Sequence, residues 1–83
     1  MACKVSLTRK AEKDFDNLPC NVQVTIFEIL QTLENFPDCK NLKKLKQPLD
    51  GYRIRTGNYR ILFTVCKSNI TIYKIKHRKD VYR

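Results

Sequence analysis

Apolar and polar positions follow two different periods along this chain, and the change from one to the other divides it. Lys4-Val5-Ser6-Leu7 alternates over four residues and predicts a short strand. Thr8 is a suitable helix N-cap, and after it Ala11, Phe15 and Leu18 recur at helical spacing, with Arg9, Lys10, Glu12, Lys13 and Asp16 on the opposite side. Asn17-Leu18-Pro19 breaks this helix. A second, from near Asn21 to Asn35 or Phe36, carries the stripe Val22, Ile26, Ile29, Leu30, Leu33 and Phe36, and Pro37 ends it.

From Tyr52 onward the period becomes two. Tyr52–Thr56, Tyr59–Val65 and Ile70–Lys76 read as strands joined by the turns Gly57-Asn58 and Cys66–Asn69. Residues 38–50 read as a loop with a partial helical or turn pattern, anchored by Leu42 and Leu45. The fold predicted is α+β, with the order β-α-α-β-β-β: an N-terminal strand, then a two-helix hairpin packed on one face of a small, mainly antiparallel sheet. Residues 1–83 are expected to form one domain.

With Gly57 and Asn58 as a two-residue loop, Thr56 faces Tyr59, Arg55 faces Arg60 and Arg53 faces Leu62. Tyr52, Ile54, Tyr59, Ile61, Phe63, Val65, Ile70 and Ile72 then turn toward the helices, while Arg53, Arg55, Arg60 and Tyr73 take the other face. Alternation alone does not decide whether Lys74 or Ile75 points inward. Three guanidiniums on one face conflict with the cross-strand pairing rule, since like charges opposite one another repel. Phosphate would reconcile them, because the planar guanidinium fork binds it in bidentate fashion. A solvated arginine face is the plain alternative.

Charge adds a direction to this pattern. The formal net charge is +9, yet residues 1–39 hold four basic against six acidic side chains and residues 40–83 hold thirteen against two. A basic surface confined to one half points to a polyanionic partner, nucleic acid before membrane, because no basic amphipathic helix accompanies it. Lys40, Lys43, Lys44 and Lys46 form a run that is either simply solvated or a source of phosphate contacts. Lys43, Lys44, Lys46, Lys74, Lys76 and Lys79 are the candidate RNA-binding lysines.

Cys3, Cys20, Cys39 and Cys66 lack Cys-x-x-Cys spacing and the chain has one histidine, so no zinc set, other metal site or cofactor is expected. The thiols are expected to be reduced and mostly buried. No secretory leader pattern or long apolar run is present, and the expected location is the cytoplasm.

His77-Arg78-Lys79-Asp80-Val81-Tyr82-Arg83 follows the last predicted strand and is rich in groups capable of proton transfer or charge stabilisation. Cleavage of RNA by a neighbouring 2′-hydroxyl needs a base, stabilisation of the extra charge on phosphorus and a proton for the leaving 5′-oxygen. His77 is the one side chain whose unperturbed titration lies near neutrality, and Tyr82 is the other candidate base if nearby cations favour its phenolate. Packing of Tyr82 on the sheet edge, and an ordinary edge position for His77, are the structural alternatives.

Leu45, Gly51-Tyr52-Arg53-Ile54-Arg55, Gly57-Asn58-Tyr59-Arg60-Ile61 and the ending His77–Tyr82 resemble the RelE-type toxins of bacterial and archaeal toxin–antitoxin modules, within the RelE/ParE superfamily. The resemblance covers essentially the whole chain. It implies a compact α+β fold, ribosome-dependent cleavage of mRNA in the decoding site, no membrane association, and a hetero-oligomer with a cognate antitoxin encoded next to it. It also implies roles: Arg53 and Arg55 grip the RNA backbone, Arg60 stabilises the transition state, Arg78 stabilises charge or protonates the leaving group, and Tyr82 acts as base or stacks on one. Family members commonly carry lysines at the strand pair, where this chain has two arginines; the spacing between Arg78 and Tyr82 is also short, which makes His77 an alternative acid to Arg78. The same fold also serves ParE-like inhibitors of DNA gyrase, and a non-catalytic nucleic-acid-binding module is a third reading.

Overall fold

The computed structural model describes residues 3–39, 41–46 and 51–77. Its elements run β1 (Lys4–Leu7), α1 (Arg9–Asp16), α2 (Cys20–Thr32) with a 3-10 turn at Leu33–Asn35, β2 (Leu42–Lys44), β3 (Gly51–Thr56), β4 (Tyr59–Cys66) and β5 (Asn69–His77). The strands make one sheet in the order β1-β5-β4-β3-β2, with β1 parallel to β5 and the other pairs antiparallel. The α+β prediction is borne out, with one strand more than the sequence suggested. Leu42–Lys44, expected as loop, pairs with Tyr52–Ile54 as an edge strand. Three residues are too few to show a period, so local pattern could not separate this strand from a loop.

Local chemistry accounts for the helix ends. Thr8 has extended backbone and its Oγ1 accepts a hydrogen bond from the Ala11 amide at 3.2 Å, which satisfies one of the unpaired donors of α1. Pro19 precedes α2 without a side-chain cap. The connection is held instead by Gln23, whose Nε2 donates to the Phe15 carbonyl at 2.9 Å, beside the Leu18 amide that donates to the same oxygen at 3.1 Å.

One core lies between the helices and the sheet. Ala11, Ile26 and Leu33 from the helical side meet Ile54, Ile61, Phe63, Ile70, Ile72 and Ile75 from the sheet. Phe36 closes one end, edge-on to Tyr52 at 5.0 Å and to Phe63 at 6.2 Å between ring centroids, while Tyr52 stacks on Phe63 at 5.9 Å. This inner face carries the residues that the alternation selected.

The Lys74–Ile75 ambiguity is resolved by a β-bulge. Leu62 pairs with Lys74 but Phe63 pairs with Ile72, which leaves Tyr73 as an extra residue. The slip returns Ile75 to the core three positions after Ile72 and sets Lys74 on the outer face.

β1 ends before β5 does. Its last pair is Leu7 with Ile72, the Thr8 amide donates to the Ile72 carbonyl at 2.9 Å, and the next amide on this side, that of Ile75, donates to Asp14 Oδ2 at 3.2 Å. A carboxylate on α1 thus replaces the missing strand. Asp14→Ala is expected to lower unfolding free energy by about 1–3 kcal/mol, the cost of leaving a buried donor unpaired. Urea denaturation would check this; a loss below about 0.5 kcal/mol would mean that water replaces the carboxylate without penalty.

All four cysteines are free, but they are not mostly buried as expected: Cys3 and Cys39 are half-buried, whereas Cys20 and Cys66 are exposed. Cys20 opens α2 and Cys66 ends β4, so neither reaches the core. Burial, followed by the nearby Asp38 carboxylate and Cys3, pushes the Cys39 thiol above its ordinary value.

Candidate nucleic-acid interface

The sheet face turned away from the helices carries the basic residues in two cross-strand rows. Lys43, Arg53, Leu62 and Lys74 lie opposite one another across β2, β3, β4 and β5. Arg55, Arg60 and Lys76 form the next row, toward the β3–β4 turn. The expected pairs Thr56–Tyr59, Arg55–Arg60 and Arg53–Leu62 are all present. Gly57 makes the tight turn possible: its φ is +54° while Asn58 keeps a negative φ, the pattern in which glycine is favoured at the first loop position. Strands lie about 4.8 Å apart, so neighbouring cations in a row repel within the screening length of about 8 Å at physiological salt. No acidic side chain stands in either row.

Part of these rows forms the floor of a basin of about 420 Å³. Arg53, Arg60, Leu62 and Lys76 line its base, and Lys43-Lys44-Leu45-Lys46 forms its wall. The Leu45 amide donates to the Gly51 carbonyl at 2.9 Å and holds that wall against β3. Lys43 and Lys46 of the lysine run thus share one concave cationic surface with two of the three arginines, while Lys40 lies outside the described residues. Lys44 contributes to the wall, but its ammonium lies on the helix side: it is the ladder partner of Tyr52, whose ring faces the core, and its Nζ stands 5.9 Å from that ring's centroid. Arg55 is exposed and lies beyond the end of β2, where it lines a neighbouring hollow with Asp38, Asn41 and Thr56. It opposes Arg60 in the ladder but does not line the basin.

Such a surface can hold a phosphate by two guanidinium forks and surround it with ammonium groups. Comparison with known proteins agrees with this fold. A family model described as the ParE toxin of the type II toxin–antitoxin system parDE matches residues 5–82. Toxin RelE3 of Methanocaldococcus jannaschii is 32% identical over 83 residues, covering 95% of this chain and 94% of that protein. The chain belongs to the RelE/ParE toxin superfamily. Among solved structures, the RelE–RelB complex of Pyrococcus horikoshii gives a TM-score of 0.81 at 28% identity, covering 94% of this chain and 97% of the other. The RelB–RelE complex of Methanococcus jannaschii gives 0.78 at 29% identity, covering 92% and 93%.

The remaining candidate residues of this type II toxin are placed differently. His77 pairs with Tyr59 at the end of β5, and its ring meets Tyr59 edge-on at 4.8 Å. Tyr59 packs against the core, so His77 sits on the helix side of the sheet and is not brought to the arginines. Lys74 lies in the first row without lining the basin. Arg78, Lys79 and Tyr82 lie outside the described residues. Sequence reasoning missed Leu62 as part of the basin floor, although its register opposite Arg53 already placed it there.

Proposed function

We propose that this toxin is a ribosome-dependent endoribonuclease that cuts mRNA in the decoding site and so inhibits translation in the cytoplasm. The observation that carries the reading is that Arg53 and Arg60 lie together on the floor of one cationic basin. The guanidiniums would hold the scissile phosphate while the adjacent 2′-oxygen attacks phosphorus. Negative charge grows on the phosphoryl oxygens as that bond forms, and Arg60, which lies between Arg55 and Lys76 in the ladder, would stabilise it. Cleavage of the P–O5′ bond would leave a 2′,3′-cyclic phosphate and a 5′-hydroxyl. Tyr82 is assigned the removal of the 2′-proton, and Arg78 the leaving-oxygen side. Assigning the acid to His77 fits less well, since its ring lies across the sheet from the basin.

The two archaeal relatives of known structure are complexes with RelB antitoxins. By the same reasoning this toxin has a cognate antitoxin, encoded beside it, with an acidic or amphipathic segment that folds on the basic sheet to give a hetero-oligomer. Induction of the toxin followed by mapping of mRNA 5′ ends tests the activity. Codon-phased cuts within translated frames are expected. Intact transcripts accompanied by DNA damage would instead support gyrase inhibition, which the ParE description of the matching family keeps as the second reading.

A further inference from the structure

Two side chains on the outer face break its cationic pattern. Leu62 lies between Arg53 and Lys74 in the first row, and Tyr73 is the extra residue of the adjacent bulge. Both are half-buried, yet neither packs against the core cluster, whereas Tyr52 and Tyr59 of the same sheet do. The Tyr73 hydroxyl has no hydrogen-bond partner among the described residues.

The bulge explains this placement. Unbroken alternation after Ile72 would put Tyr73 out, Lys74 in and Ile75 out; the slip keeps Tyr73 outside and brings Lys74 out beside it while Ile75 enters the core. A ring and an ammonium group therefore stand next to each other on the sheet, one residue from the basin floor at Leu62. Aromatic side chains on an open sheet flanked by cations suit single-stranded nucleic acid, because any base has a π-face for the ring and its backbone meets the charges.

We propose that Tyr73, with Leu62 beside it, is a stacking platform for an unpaired base of the RNA whose phosphate occupies the Arg53–Arg60 basin. This rests on the RNA-cleaving reading above and adds a positioning residue to it. The ring would fix the strand's register over the arginines, leaving the cations to supply charge.

The test uses the full chain and two oligomers of equal length: a 2′-O-methyl single-stranded RNA containing 2-aminopurine, which resists cleavage, and an abasic ribose-phosphate strand. Binding is read by anisotropy and stacking by quenching of the 2-aminopurine. Tyr73→Ser is expected to weaken the base-bearing strand by about 5- to 100-fold and to abolish its quenching, with the abasic strand unaffected. Tyr73→Leu, which keeps bulk but lacks a π-face, should behave as the serine variant and decides the matter if the latter fails to fold; Tyr73→Phe should retain binding. Equal losses on both strands, or none on either, overturn the platform. If the unsubstituted toxin distinguishes the two strands in neither affinity nor quenching, the platform alone falls. If it binds neither, even when the oligomers are carried in the decoding site of a programmed ribosome, the RNA reading falls with it.

Discussion

Arg60→Ala is expected to eliminate growth arrest and to slow mRNA cleavage on programmed ribosomes by at least about 10²-fold, the effect of removing one preorganised donor to a developing oxyanion. Its effect on stability should have the opposite sign. Arg60 lies directly opposite Arg55 and next to Lys76, so removing its charge relieves repulsion across two ladders. Cross-strand terms of this kind amount to about 0.2–1 kcal/mol, and the variant should unfold at the same or a slightly higher urea concentration. Full toxicity in Arg60→Ala would remove the residue from the mechanism. Lost toxicity together with a large drop in stability would instead make Arg60 a structural residue whose aliphatic stem matters more than its charge.

Phe63→Ala is expected to produce the complementary result. Its side chain is fully buried, stacks on Tyr52 and meets Phe36 edge-on, on the side of the sheet away from the cationic rows. Truncating a buried phenylalanine costs about 3–5 kcal/mol. Small domains stand near the lower end of the usual range of about 5–15 kcal/mol, so this loss would leave a large share of the chain unfolded. Thermal and urea unfolding of the purified chain measure it directly. A decrease of less than about 1 kcal/mol would mean that Phe36 and Tyr52 collapse into the vacated space.

The sequence revealed the hairpin most fully because three independent signals coincided there: alternation, a glycine at the turn and the clash of like charges. Its register fixed Arg53, Arg55 and Arg60 on one face before any coordinates were known, and the ladder agrees residue by residue. What escaped was set by distant contacts. β2 exists because Leu42, Lys43 and Lys44 find Ile54, Arg53 and Tyr52 farther along the chain, which no property of those three residues announces. The side of the sheet taken by His77 was hidden for a related reason. A bulge four residues earlier inverted the count, so that parity read forward from Ile72 pointed the wrong way beyond Tyr73. The division of the arginines likewise followed from the length of β2: it stops opposite Ile54, leaving Arg55 at a hollow of its own.

The parallel pairing of β1 with β5 has a consequence for when this toxin comes into being. Val5 meets Ile70, so β1 has no strand beside it until β5 has been made. Closing so long a loop is an entropic cost that local helix formation cannot offset in advance. β5 also contributes Ile70, Ile72 and Ile75 to the core, together with Lys74 and Lys76 on the opposite face. The emerging polypeptide therefore acquires its interior and its full cationic surface in a single late step. A ribosome making this protein would carry an unassembled precursor until the final strand had cleared its exit.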